Sequence, residues 1–351
     1  MNAGDQKPPS KWSLTLLVLM PLILFGLFGA WVFWAETHPD LERDLRVTAQ
    51  AQLEQWLPEV ASPEPGMVGF RPASEEHGNN KPGVILIHGL DEPGGIWDDM
   101  GAALADAGMV AWEFRYPNDQ AIDDSVDLLA EQWPSLESEE VFLVGHSMGG
   151  LVIRDFVTRH LYAADASLDL SGPEVGGVVL IGTPNQGSEW ARLRAWLEIR
   201  EWIADLPEGQ ASLFSGLRDG TGAAKIDLRP DSRFLRELNA RQWPKAVPVL
   251  ILGGLLTEPT AEMMDGLRRL ADDLGLDDVR PLVEKWWRDA GEGIGDGAVP
   301  VESLSFKGGP EPVLLPASHR GLVLRMPFSE EAPPAIQPTI ETLKEWSESG
   351  R

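Results

Sequence analysis

Short apolar runs alternate with amphipathic stretches between residues 83 and 325 of the chain. The runs are only three to six residues long, which is typical of buried strands rather than helices. They fall at residues 84–87, 109–114, 141–144, 178–181, 247–252 and 313–315. Helical patterns lie between them at 95–107, 119–133 and 151–161. Because strands that alternate with helices form β-α-β units, the pattern predicts an α/β fold with a mostly parallel sheet flanked by helices.

A longer apolar stretch precedes this alternation. Residues 12–35 carry no charged side chain over 24 positions, and about 20 apolar residues suffice to cross a bilayer. Trp12, Trp31 and Trp34 lie near its two ends, as aromatic residues do at membrane interfaces. The stretch therefore predicts an uncleaved transmembrane helix, with a cleaved signal peptide and a buried soluble helix as alternatives.

The anchor divides the chain into segments. We expect an N-terminal tail at 1–11, the anchor at 12–35, a helical stalk and Pro-rich linker at 36–66, and a globular domain at 67–351. Lys7 and Lys11 precede the apolar stretch directly, which favours a cytoplasmic N-terminus. The prediction is a single-pass membrane protein whose globular domain lies on the extracytoplasmic, periplasmic side.

Residues 141–150 read V-F-L-V-G-H-S-M-G-G, a buried strand that runs into a G-x-S-x-G turn and then a helix. A serine in this context lies on a strained turn that exposes its hydroxyl. Gly145 and Gly149 lack the Cβ atoms that would prevent the close approach of strand and helix. Ser147 is therefore the candidate nucleophile, and an ordinary Gly-rich turn is the alternative.

A nucleophilic serine needs a base, an acid and oxyanion donors. His319 follows the last apolar run and is the candidate base, with His146 a distant second. Asp296, between two glycines, is the candidate acid. The backbone N–H groups of Leu90 and Met148 are the natural donor pair for an oxyanion hole. Two other carboxylates, Glu302 and Glu258, compete with Asp296.

Five blocks of sequence together resemble the α/β-hydrolase lipases and esterases, in particular the bacterial triacylglycerol-lipase-like branch. The blocks are H-G at 88–89, G-H-S-M-G-G at 145–150, G-T-P-N-Q-G-S at 182–188, D-G-A-V-P at 296–300 and S-H at 318–319. The likeness extends to membrane-associated lipid deacylases. Some lipases of this group bind a structural calcium through a carboxylate two positions beyond the base, where this chain has Gly321. The calcium site is therefore not carried over, and no metal is expected.

The alternation of strands and helices breaks at about 185–244, where we expect an inserted helical cap. Residues 189–206 have Trp and aliphatic residues at helical spacing. Such a helix either packs on the core or covers the serine and lines an apolar cleft. A second insertion at 257–292 is a weaker candidate for the opposite wall of that cleft.

Composition restricts the possible partners. The formal net charge is -26, from 55 acidic and 29 basic residues, which argues against nucleic acid as a partner. The chain has no cysteine, so thiolate catalysis and Cys-ligated metals are excluded. There is no dinucleotide fingerprint, P-loop or EF-hand loop, and no cofactor is expected.

These observations predict a membrane-anchored carboxylic ester hydrolase that acts on lipid or other long-chain acyl esters. An acyltransferase with the same triad, a peptidase or amidase, and a non-catalytic membrane scaffold are the alternatives. A scaffold would have lost members of the triad, whereas all of the expected groups are present.

Overall fold

The structure is a computed structural model of the 351-residue chain. It describes residues 20, 23, 26–27, 29–58, 68–73, 81–90, 95–162, 170–189, 221–256, 295–326 and 331–349. The chain divides into two compact units, 1–45 and 46–351. Most of the predicted anchor, residues 190–206 of the predicted cap helix and the insertion at 257–292 lie outside the described residues.

The N-terminal unit is helical at residues 29–37. Helix α1 (Pro39–Trp56) lies where the sequence predicts a stalk helix. Within the described ranges, every helix is too short or too polar to serve as a membrane span. The transmembrane helix at 12–35 therefore stays a prediction.

The second unit contains a seven-stranded sheet, with the strand order β1-β3-β2-β4-β5-β6-β7. Every pairing is parallel except that of β1 with β3. The strands are β1 (Gly69–Pro72), β2 (Val84–Ile87), β3 (Ala111–Arg115), β4 (Glu140–His146), β5 (Glu174–Ile181), β6 (Val249–Gly254) and β7 (Val313–Leu315). The mostly parallel sheet is confirmed, and the antiparallel edge strand β1 is an addition to the prediction.

Helices cover both faces of this sheet. They are α2 (Asp98–Asp106), α3 (Ile122–Gln132), α4 (Met148–Phe156), α5 (Ala223–Asp227), α6 (Arg233–Ala240) and α7 (Ile336–Glu348). Side chains alternate between the faces of a strand, so Ile85 and Ile87 pack in one core with α3 and α4. Val84 and Leu86 pack in a second core with α2 and α7. All four residues of β2 are buried, as expected for a central parallel strand.

The strand order reverses at β2. The chain passes from β2 to β3 on one side and returns to place β4 on the other side. The loops that follow β2 and β4 therefore diverge, which opens a crevice at the carboxyl ends of these strands. Residues 88–90 and Ser147 both lie at this crevice.

Candidate active site

Ser147 forms a strained turn between β4 and α4. Its backbone angles are φ 55° and ψ −126°, an uncommon conformation for a residue with a side chain. Such strain costs about 1–3 kcal/mol and persists only where the surrounding structure fixes it. The Ser147 N–H donates to the Ile181 carbonyl of the neighbouring strand at 2.8 Å. The geometry expected of a nucleophile elbow is therefore present.

The glycines around Ser147 allow β2, β4 and α4 to approach closely. A Cβ on Gly149 would overlap the Ile87 carbonyl oxygen and lie 2.6 Å from that of His88. A Cβ on Gly145 would lie 2.7 Å from the Gly150 nitrogen. Separations below 3.0 Å require the backbone to move. These positions therefore require glycine for the packing of strand and helix.

Replacing Gly149 with alanine should destabilise the protein by about 3 kcal/mol, since the added methyl group meets backbone that cannot rotate away. Gly83→Ala is the matched control, because its Cβ would have no neighbour nearer than 3.9 Å. Urea denaturation measures both variants. Equal free energies of unfolding for the two would contradict the packing described here.

The structure brings His319 and Asp296 together. His319 Nδ1 lies 2.7 Å from Asp296 Oδ2, and the His319 backbone N–H donates to the Asp296 carbonyl at 2.9 Å. The other carboxylate oxygen accepts from the N–H groups of Ala298 and Val299 at 2.9 and 2.7 Å. Asp296 is 1% exposed. A proton on His319 Nδ1 leaves Nε2 with the lone pair that a base needs.

The competing candidates are placed differently. Glu302 lies in the first turn of a short helix, Val301–Leu304, and the hydrogen bond of His319 goes to Asp296 instead. Glu258 lies outside the described residues. His146 is fully buried at the end of β4, beside the His319 ring, with 4.8 Å between the ring centroids. The candidate base is thus held against the residue that precedes Ser147.

The candidate oxyanion donors have no acceptor within the part of the chain that the structure describes. Neither the Leu90 nor the Met148 N–H donates to another group there. The loop of Leu90 is fixed close to the serine, because a Cβ on Gly89 would lie 2.8 Å from that of Ser147. The Tyr116 hydroxyl donates to the His88 carbonyl at 2.6 Å. Tyr116 directly follows β3, and no motif in the sequence marks it as part of the site.

The G-T-P-N-Q-G-S loop after β5 supports the His–Asp pair. Gly182 has φ 57°, and a Cβ there would lie 3.2 Å from both Asp296 Oδ2 and His319 Nδ1. The Ser188 hydroxyl donates to the Ala298 carbonyl, and the Gln186 N–H donates to Ser303 Oγ at 3.1 Å. The motif therefore holds the loop that carries the candidate acid.

A buried arginine of α4 connects the same loop to its surroundings. Arg154 donates to Asn185 Oδ1 at 2.9 Å and to Asn239 Oδ1 at 3.0 Å. Its guanidinium lies 3.9 Å from the centre of the Phe306 ring. Burial lowers the pKa of Arg154 to about 9, with a smaller contribution from the positive charge of Arg241. The side chain therefore stays charged at neutral pH. No sequence signal marks this residue beyond a cation in an apolar helix.

Burial disfavours the charged forms of the two histidines that precede Gly89 and Ser147. It lowers the pKa of His88 to about 4 and that of His146 well below 6.5. Both imidazoles are therefore neutral in the folded protein at neutral pH, while in an unfolded chain they titrate near 6.5.

The free energy of unfolding should therefore fall as the pH decreases from about 6.5 to 4. In that range the unfolded chain binds protons that the folded protein does not. Each of the two histidines therefore lowers the free energy of unfolding by up to about 1.4 kcal/mol per pH unit. Partial exposure of His88 reduces its share. Above pH 6.5 neither histidine contributes. Urea denaturation between pH 7.5 and 4.5 tests this, and His88→Gln should flatten the pH slope. An unchanged slope in that variant would contradict the assignment.

An elbow serine at the reversal of a parallel sheet, beside a His–Asp pair on later loops, defines the α/β-hydrolase class. The chain belongs to the alpha/beta hydrolase family, whose family model matches residues 84–331. This membership confirms the predicted family and supports the predicted enzyme class, a carboxylic ester hydrolase. No curated protein sequence matches the chain.

The chain is similar to several solved structures of low sequence identity. A Bacillus licheniformis lipase in mature form is 18% identical at TM-score 0.48, over 77% of this chain and 97% of the lipase. A Legionella pneumophila phospholipase is 15% identical at TM-score 0.50, over 77% of this chain and 62% of the phospholipase. A Staphylococcus hyicus lipase is 12% identical at TM-score 0.48, over 79% and 99%.

Proposed function

We propose that the chain is a membrane-anchored serine hydrolase that cleaves carboxylic esters through an acyl-enzyme on Ser147. The observation that carries this proposal is the 2.7 Å hydrogen bond between His319 and Asp296, held beside a strained serine turn. A serine without a catalytic role does not need a strained turn. A buried carboxylate paired with a histidine is the arrangement that orients a general base.

In the first half of the reaction, His319 Nε2 takes the Ser147 proton as Oγ attacks the ester carbonyl. Asp296 holds the His319 ring and stabilises the imidazolium that forms. The N–H groups of Leu90 and Met148 donate to the oxyanion of the tetrahedral intermediate. His319 then protonates the leaving alcohol, and the acyl group stays on Ser147.

In the second half, His319 removes a proton from water, which attacks the acyl-enzyme and releases the carboxylic acid. An alcohol in place of water would give an acyl transfer with the same groups. The preference between the two acceptors is therefore a property to be measured.

Lipid or other long-chain acyl esters are the proposed substrates. The N-terminal unit presents large apolar side chains with more than half of their surface exposed, as in Met20 (61%), Leu27 (63%) and Phe33 (71%). Exposed apolar residues in a predicted anchor favour contact with lipid. An anchored hydrolase meets substrates that partition into the same bilayer.

The experiment for the reaction uses the full-length protein in detergent micelles with p-nitrophenyl esters from acetyl to palmitoyl. We expect turnover that increases with chain length, and carboxylic acid as the main product when an alcohol competes with water. Ester product in excess of acid would identify a transferase instead. A folded protein that is inert toward every ester would contradict the proposed reaction.

The membrane orientation can be tested because the chain has no cysteine. Ser349, exposed near the C-terminus, is substituted as Ser349→Cys, and intact cells are treated with a membrane-impermeant maleimide. We expect labelling from outside the inner membrane, as the cations before residue 12 imply. Labelling only after cell lysis would place the domain on the cytoplasmic side.

A further inference from the structure

His146 occupies an unusual position for a buried histidine. It is the last residue of β4, it directly precedes Ser147, and it is 0% exposed. Its Nε2 lies 3.0 Å from the backbone carbonyl oxygen of His319. A carbonyl oxygen only accepts hydrogen bonds, so we assign the proton of His146 to Nε2.

The backbone around His319 needs such a contact. The base follows β7, a strand of only three residues at the edge of the sheet. Asp296 fixes the His319 ring nitrogen and the backbone N–H. His146 fixes the remaining backbone group, the carbonyl, and lies against the ring. The position of the base is therefore set from two elements, the acid loop and the nucleophile strand.

Charge also matters at this position, because the His319 ring becomes an imidazolium during the proposed reaction. Besides His319, the titratable groups that face His146 are Arg320 and His88. The Trp97 ring packs nearly perpendicular to the His146 ring. Burial and these neighbours keep His146 neutral, so it holds the base without a second positive charge beside it.

We propose that His146 is a positioning residue for the catalytic base, a neutral donor that holds the His319 carbonyl so that the ring faces Ser147. This inference rests on the proposed function of Ser147 and His319. It predicts that the hydrogen bond of His146 matters more than its aromatic volume, whereas a residue that only fills space would show the reverse.

Two substitutions separate these roles. His146→Phe keeps a ring of similar volume and removes the donor. His146→Gln removes the ring and keeps an amide N–H at about the distance of Nε2. His160→Phe is the matched control, since His160 lies at the end of the helical segment after Ser147 and bonds to Asp127. Full-length protein and p-nitrophenyl butyrate serve for all four proteins.

We expect His146→Phe to lower kcat by about 10- to 100-fold, as a displaced catalytic group does, with less than a twofold change in KM. His146→Gln should recover activity to within about fivefold of wild type, and His160→Phe should match wild type. The acid limb of the kcat/KM profile should report one ionisation in every active protein. Equal activity of the two His146 variants, or a larger loss in His146→Gln, would overturn the proposal.

Nitrogen NMR of imidazole-labelled wild type provides a reading that needs no turnover. We expect His146 to be neutral and protonated on Nε2 from pH 5 to pH 8. A charged ring at pH 6, or the other tautomer, would overturn the proposal even if the His146 variants failed to fold. Wild type that hydrolyses no ester would instead count against the proposed function, so the two failures are distinguishable.

Discussion

Replacing Ser147 with alanine should lower kcat for ester hydrolysis by roughly 10⁴- to 10⁶-fold, the loss typical of a removed serine nucleophile. The variant cannot form the proposed acyl-enzyme, so only the candidate oxyanion donors and substrate binding would remain to accelerate the reaction. The folded structure should be kept, because the strained turn depends on the backbone of Ser147 and its hydrogen bond to Ile181. Steady-state hydrolysis followed over many hours measures the residual rate.

The same measurement tests whether Ser147 and His319 act as a unit. His319→Ala should cost about as much as Ser147→Ala, and the double variant should be no slower than either. Ser135→Ala is the matched control, an exposed serine whose hydroxyl donates only to a carbonyl of its own turn. Additive losses in the double variant would mean that the two residues serve different steps.

Asp296→Asn should lower kcat by about 10⁴-fold, although it changes only one atom of the side chain. The backbone N–H groups of Ala298 and Val299 require an oxygen at Oδ1, so the amide NH₂ must face His319. His319 Nδ1 then accepts a hydrogen bond, and the ring proton moves to Nε2. In that tautomer the ring cannot take the proton of Ser147.

Glu302→Gln is the control for this substitution, because Glu302 is the described carboxylate that competes for the role of the acid. It should leave kcat within about twofold of wild type. A loss in Glu302→Gln comparable to that in Asp296→Asn would show that the acid is misassigned.

The parts of the fold that repeat a local pattern could be predicted from the sequence. The central strands are buried on both faces, and continuous apolar runs such as β2 follow directly from that burial. The elbow could be predicted because its glycines and serine are adjacent in the chain. The order in which α/β hydrolases carry their serine, acid and histidine along the chain then made Asp296 and His319 the candidates. The structure joins these two residues by a hydrogen bond.

Other elements carried weaker signals. β1 has four residues with only one buried, too few for any periodicity. α7 was not predicted, although its buried residues Ile336, Ile340 and Leu343 follow helical spacing. Prolines at 333 and 334 directly precede that helix and are the sequence signal of its start.

The supporting contacts of the site could not be predicted, because they join residues far apart in sequence. His146 and His319 are 173 positions apart, and Tyr116 bonds to a backbone carbonyl 28 positions away. Because every residue has a backbone carbonyl, a hydrogen bond to that group does not restrict which residue accepts it. Arg154 likewise reads as an ordinary helix cation until the fold brings Asn185 and Asn239 to it.

The acyl-enzyme on Ser147 is the central claim, and direct detection of it is the decisive measurement. The full-length protein is mixed with p-nitrophenyl butyrate, quenched in acid within the first turnover, digested, and analysed by mass spectrometry. We expect one added butyryl group on the peptide that contains Ser147, with none in Ser147→Ala. Butyrylation of a different residue, or hydrolysis that continues in Ser147→Ala with no adduct, would contradict the account.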